Sequence, residues 1–172
     1  MNSTWLRQSL RFVFLLLFQV LVLKQVHLFW GSFNYISLIV IPLWVLLLPI
    51  TTPRWLLVLL GFLAGLCVDW FYDSPGVHAS AGTFLGFIRP MLLRYLEPKG
   101  GYNRIPLPSK YHLGLNWFVS YASLGMIAYL VFYFSMEVFT PAFFVTILLK
   151  TVFSFIISIL LVLLYMFIFD PE

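Results

Sequence analysis

Between Lys150 and Asp170 the chain runs TVFSFIISILLVLLYMFIF, nineteen residues without a formal charge. As a helix this stretch rises ~28 Å at 1.5 Å per residue, close to the roughly 30 Å of a bilayer's hydrocarbon core. In water it would need other protein wrapped around it. A chain of 172 residues that is 62% hydrophobic and only 9% charged has no polar material for that wrapping. Spanning strands would show alternation of polar and apolar residues, which is absent. The chain therefore reads as an all-α integral membrane protein.

Apolar windows place spans near 9–27, 35–50, 55–72, 79–96, 115–135 and 142–168, so six transmembrane helices in one bundle and one domain are expected. The second is short and carries Pro42, which predicts a bent or partly interfacial segment, and the last is long enough to tilt. Arg7 and Arg11 precede the first span as they would a signal peptide. Its apolar stretch is too long for one and no small-x-small cleavage site follows, so it is expected to stay as an anchor.

The formal charge of +4 is no nucleic-acid signal, because the cations mostly sit at span ends and in one loop. With a cytoplasmic N-terminus, the inner segments collect Arg7, Arg11, Arg54, Arg94, Lys99, Arg104 and Lys110, and the outer loops little beyond Lys24. That asymmetry predicts a multi-pass protein of the bacterial inner membrane with both termini in the cytoplasm. Trp5, Trp55 and Trp117 then fall at inner ends and Trp30 and Trp70 at outer ends; Trp44 alone is mid-span. The longest connection, EPKGGYNRIPLPSKYHLG (Glu97–Gly114), reads as an irregular loop against anionic headgroups or as a docking segment for a cytoplasmic protein.

One carboxylate stands inside an apolar span. In GFLAGLCVDWFYDSPGVHASAG (Gly61–Gly82), residues Gly61, Gly65 and Asp69 are four apart and share one helix face. The next span repeats the device with Gly82, Gly86 and Pro90. Such small faces let helix backbones approach closely in lipid, against each other or against a third helix. Asp69 has three readings: fastening the turn around Pro75 and Gly76 by accepting from amides of Gly76–Ala79 or from His78, a structural role that also shapes a partner-binding surface, or catalysis or proton transfer. Asp69→Asn is expected to be mild and Asp69→Leu severe. Arg89, Lys150 and Lys24 are candidate ion-pair partners, with Arg89 and Lys150 near mid-membrane and facing the interior. Pro90 predicts a kink beside Arg89.

Other chemistry is missing. Ser80-x-Gly82 lacks the preceding glycine and the strand of a hydrolase elbow. His27 and His78 are expected outside and His112 inside, so no three-histidine metal site assembles. Phosphate-binding glycine loops are absent, and the single cysteine, Cys67, excludes an internal disulfide. No catalytic residue, metal or cofactor is expected.

The stretch GLCVDWFYDSPGVHASAGTFLGFIRPMLLRYL (Gly65–Leu96) resembles the MreD family of bacterial rod-shape-determining proteins. The matching positions are Gly65, Asp69, the Ser74-Pro75-Gly76 turn and the small-residue helix from Ala79, about a fifth of the chain. The resemblance implies a non-catalytic scaffold of the cell-elongation complex, working with MreC, actin-like MreB and the glycosyltransferase and transpeptidase that build peptidoglycan. It also implies a fold similar to the substrate-binding subunits of energy-coupling-factor vitamin transporters, so a small-molecule-binding subunit is the alternative function. Those subunits carry an Ala-x-x-x-Ala-like stripe on the first helix, whereas LRFVFLLLFQVLVLKQV (Leu10–Val26) has no small residue.

Overall fold

The computed structural model describes residues 2–25, 36–102, 105–138 and 144–169. Helix α1 (Asn2–Leu17) runs on as a π-helical stretch (Phe18–Leu23); α2 is Pro42–Leu46, α3 Arg54–Tyr72, α4 Val77–Tyr95, α5 Lys110–Leu113, α6 Leu115–Val138 and α7 Phe144–Phe169. The described residues contain no strand. His27, Trp30, Arg104 and Pro141, used in the sequence reading, lie outside them.

Among the described residues, four helices are long and apolar enough to cross a membrane: Trp5–Leu23, Arg54–Tyr72, Leu115–Val138 and Phe144–Phe169. Helix α4 equals α3 in length and continues through Pro90, but His78, Ser80, Thr83, Arg89 and Arg94 make it less apolar. Burial follows an inverted pattern. Leu6, Leu10, Val13, Leu17 and Leu21 line an exposed face of α1, while Gln8, Gln19, His78, Arg89, Ser154 and Ser158 are buried. On α7 the buried positions Thr151, Ser154, Ser158, Val162 and Met166 form one face, spaced as a 3.6-residue period requires. A surface of this kind is solvated by lipid.

The expected helix over 35–50 is not there. Residues 36–40 take up no regular secondary structure, only Pro42–Leu46 is helical, and everything from Ile39 to Pro49 is buried. The sequence explains the break. Ile39, Val40 and Ile41 are β-branched and stiff at χ1, Pro42 opens a helix readily because its missing N–H is unneeded at the first position, and Pro49 disfavours a helical residue before it. Gln8 bonds Leu47, and Gln19 bonds Leu38 and Val40, so this broken segment runs antiparallel to α1 through the middle of the protein.

Helix α3 packs antiparallel on α4, and α4 on α6, where Phe84 stacks on Phe132 at 4.5 Å between ring centroids and Arg89 reaches Tyr121. These directions bring Arg7, Arg11, Arg54, Arg94, Lys99 and Lys110 to one end of the bundle, and Lys24, Asp73 and Glu137 to the other. The Glu97–Gly114 connection is clamped to the cationic end. The Tyr102 hydroxyl donates to the Leu93 carbonyl at 2.6 Å, the Trp117 indole donates to Leu96 at 2.6 Å, and Ile50 N–H donates to Pro106 at 3.1 Å.

Candidate functional site

The α3–α4 hairpin is built backbone against backbone. A Cβ added at Gly61 would come within 3.0 Å of the Gly82 carbonyl, one at Gly82 would meet the Gly61 carbonyl, one at Gly65 the His78 carbonyl, and one at Gly86 the Leu57 carbonyl. The two small-residue stripes are thus spent on each other. That is the first of the two arrangements the sequence allowed, and it leaves no free glycine face for a third helix.

Asp69 fastens the turn that joins them. Asp73 closes α3 in the left-handed region (φ 52°), which an Asp tolerates, and Gly76 opens α4 at φ 88°. The chain then folds back over the carboxylate. Oδ1 accepts from the Ser74 hydroxyl at 3.0 Å and from His78 N–H at 2.9 Å, and contacts His78 Nδ1 at 2.9 Å. Oδ2 accepts from Gly76 N–H at 3.0 Å and Ala79 N–H at 2.9 Å. Three of the amide donors that a helix start leaves open are therefore satisfied by a side chain from the preceding helix. Asp69 is 4% exposed and His78 1%. An ionised carboxylate only accepts, so Nδ1 of His78 carries the proton.

Ser74, His78 and Asp69 lie together, but not as a hydrolytic relay. Ser74 Oγ sits 3.3 Å from Nδ1, the same ring nitrogen that faces Asp69. A relay needs serine on the opposite nitrogen, Nε2. The arrangement can hold a turn; it cannot draw a proton from Ser74 through His78 with Asp69 behind it. Among the described residues no three His, Cys, Asp or Glu side chains come together as a metal site.

None of the three candidate cations reaches Asp69. Arg89, fully buried, donates from Nε to the Leu46 carbonyl (3.3 Å) and the Tyr121 hydroxyl (3.0 Å), and from Nη2 to the Leu48 carbonyl. Lys150 pairs with Glu137 at 3.2 Å, and Lys24 donates to the Phe71 carbonyl. Arg89 therefore serves the broken segment, together with four side chains the sequence reading did not single out. Gln8 Nε2 donates to Leu47 O at 2.9 Å; Gln19 takes Val40 N–H and donates to Leu38 O, both at 2.7 Å. Ser154 and Ser158 accept from Ser37 and Ile39 N–H at 2.9 and 3.1 Å. In lipid every backbone group must find such a partner within the protein. A signal existed: Gln8 and Gln19 are eleven apart, close to three turns, and Ser154 and Ser158 one turn, so each pair marks one face of an otherwise apolar helix.

Two hollows adjoin the hairpin. At the end away from the cationic loops, a cavity of about 210 Å³ is lined by Ser37, Tyr72, Ser74, His78, Tyr133 and Glu137. His78 lies between the rings of Tyr72 and Tyr133, with centroids 5.3 and 4.6 Å away. On the outer surface an open groove of about 580 Å³ runs over Gly76, Ala79, Ser80 and Thr83, walled by Phe62, Phe84, Phe87 and Phe132. Ser80 and Thr83 donate to the carbonyls of Val77 and Ala79 in their own helix, so the floor offers small side chains and no free hydroxyl hydrogen.

Of the expected site residues, Gly61, Gly65, Gly82 and Gly86 form the helix seam, Asp69 and Gly76 the pinned turn with Pro75 exposed at its tip, and Arg89 a separate network nearer the cationic end. No protein-family model, curated protein or solved structure matches the chain.

Proposed function

We propose that the chain is a non-catalytic scaffold of the bacterial cell-elongation machinery, in the inner membrane with both termini cytoplasmic. In this role it helps organise peptidoglycan synthesis by holding an MreC-like membrane protein, with MreB, the elongation glycosyltransferase and the transpeptidase as further partners. The observation that supports it is the groove on α4. Its small-residue floor lets a partner's transmembrane helix approach closely, its phenylalanine walls give that helix packing area, and the floor belongs to the Gly65–Leu96 stretch that carries the MreD resemblance. Asp69 acts in this reading by fixing the turn beside the groove. The gathering of Arg7, Arg11, Arg54, Arg94, Lys99 and Lys110 at one end supports the orientation. On the same reading the bilayer is crossed six times, by α1, residues 36–50, α3, α4, α6 and α7, the second crossing being helical only over Pro42–Leu46.

The test is capture from detergent-solubilised membranes, combined with depletion. Tagged wild-type protein recovers the MreC-like partner; Thr83→Trp, which fills the groove without touching Asp69 or the glycine seam, recovers several-fold less at equal membrane abundance. Depletion rounds rod-shaped cells. Normal rods after complete depletion remove the assignment.

The cavity beside His78 favours a second reading, a small-molecule-binding subunit similar to those of energy-coupling-factor transporters. Tight binding of a vitamin-sized ligand to the purified protein, abolished by Tyr133→Trp, would promote it over the first.

A further inference from the structure

A different hollow lies between the first and last long helices. Helices α1 and α7 meet through aromatic side chains: Phe14 packs on Tyr165 and Phe169, with ring centroids 6.2 and 5.1 Å apart. Beside these rings is a partly enclosed cleft of about 240 Å³, lined by Phe14, Phe18, Val40, Leu161, Leu164 and Ile168 among others, and no polar surface opens into it. That is room for about eight groups of water or methylene size (~30 Å³ each). Water gains nothing there, because it would find none of the polar partners it needs.

Charge marks one end of the cleft. Arg11, half-buried one turn before Leu15, lies beside the Tyr165 phenol, which itself lines the cleft, and within electrostatic reach of Arg7 one turn further out. Arg11 Nη1 donates to Gln8 Oε1 at 3.3 Å. Among the described residues no carboxylate pairs with either arginine. Two guanidinium groups at i and i+4 repel each other, and a phosphate diester relieves that repulsion by accepting from both. Trp5, exposed at the same end, supplies the indole that favours the headgroup level.

We propose that the α1–α7 cleft is a binding site for one anionic phospholipid, with its phosphate on Arg7 and Arg11 and an acyl chain along Phe14, Phe18, Leu161 and Leu164. The proposal stands independently of the scaffold assignment. It gives a single occupant to the apolar hollow and to an arginine pair that no carboxylate among the described residues neutralises, which neither a free phosphate nor a neutral lipid does.

Native mass spectrometry of the full chain, delipidated and returned to detergent with phosphatidylglycerol or phosphatidylcholine of identical acyl chains, tests it. Wild-type protein is expected to retain one phosphatidylglycerol in preference to phosphatidylcholine. Each basic residue near an anionic headgroup shifts binding about fivefold, so Arg7→Gln should cost about that much and the Arg7→Gln, Arg11→Gln pair about thirtyfold. Leu164→Trp, which fills the cleft from an exposed position, should weaken retention of both lipids while leaving the arginines in place. Arg7 is exposed, so its single substitution gives the charge result even where the double variant is poorly folded. Equal retention of the two lipids by wild-type protein, or unchanged preference in Arg7→Gln, overturns the proposal. So does displacement of lipid by millimolar inorganic phosphate with Leu164→Trp indistinguishable from wild type, which would mark a free-phosphate site. A lipid-free dimer abolished by Leu164→Trp would place a second copy of the chain in the cleft and overturn it equally.

Discussion

Replacing Asp69 by Asn keeps the shape of the side chain and exchanges one oxygen for an amide NH2. On sequence grounds this change looks mild. The geometry says otherwise, because both oxygens are acceptors: Oδ1 faces Ser74 and His78, Oδ2 faces the amides of Gly76 and Ala79. With the Asn oxygen in the Oδ1 position, the NH2 group points at two amide donors that have lost their partner. In the flipped orientation it points at the Ser74 hydroxyl, the His78 amide and the His78 ring. An unsatisfied buried amide costs about 1–3 kcal/mol. The flipped orientation is the better one, because the Ser74 hydroxyl can rotate and the His78 ring can change tautomer to accept from the NH2; only the His78 amide is then stranded, and about 1–3 kcal/mol is lost. Asp69→Leu strands all three amides, and about 3–9 kcal/mol is expected on the same scale. For a chain of this size each kcal/mol moves the unfolding midpoint by roughly 2–4 °C, so Asn should lower it by at least ~2 °C and Leu by more. The single cysteine, Cys67, is partly buried on α3, and its reaction with a fluorogenic maleimide during heating reports opening of this hairpin. Asp69→Asn protein that unfolds at the wild-type temperature would refute the two-oxygen reasoning, whatever Asp69→Leu does.

Gly82→Ala puts a methyl group against the Gly61 carbonyl, backbone that cannot yield as a side chain would; it should cost about 1–3 kcal/mol of overpacking, while Gly100→Ala, with nothing within 4 Å, should leave the unfolding midpoint unchanged. Tyr102, outside the spans, has its phenol pushed up to about 12 by burial first and then by the Glu97 carboxylate and Tyr121. A raised phenol pKa means that the fold favours the neutral form, so its contribution is complete below pH ~10 and is lost as pH rises from about 10 towards 12. In a pH series of thermal unfolding, Tyr102→Phe should therefore flatten the alkaline limb in that window, and at neutral pH should cost about 0.5–1.5 kcal/mol for the lost hydrogen bond to Leu93.

Periodicity and hydropathy made the long helices legible: the expected spans near 55–72, 79–96, 115–135 and 142–168 fall within a few residues of α3, α4, α6 and α7. The seam was legible too, because Gly61, Gly65, Gly82 and Gly86 are spaced for mutual contact and a short turn makes their helices neighbours. The broken segment was legible only in part: Pro42 predicted a bend, but not a segment helical only over Pro42–Leu46. IVIPLWVLLLPI is as apolar as its neighbours, and hydropathy measures transfer from water without asking whether the backbone can close its own hydrogen bonds. What decides that here is remote in sequence: Gln19 lies 21 residues from Val40 and Ser158 lies 119 from Ile39. The same limit hid the role of Arg89. A buried cation invites a search for a carboxylate, whereas this one serves backbone carbonyls exposed by a helix that never formed.

Those distances along the chain set an order of events during synthesis. Gln8 and Gln19 leave the ribosome before the segment they serve, so the amide of Val40 and the carbonyls of Leu38 and Leu47 have partners as soon as the segment enters the bundle. The amides of Ser37 and Ile39 wait for Ser154 and Ser158, 117 and 119 residues later. At 5–20 residues per second that wait is about 6–24 s. Until α7 is made, these two groups need water or a substitute acceptor at the translocation site. The last helix is therefore the one that seals the second segment into the membrane, and a nascent chain halted before Ser154 should hold that segment in an open, chemically accessible state.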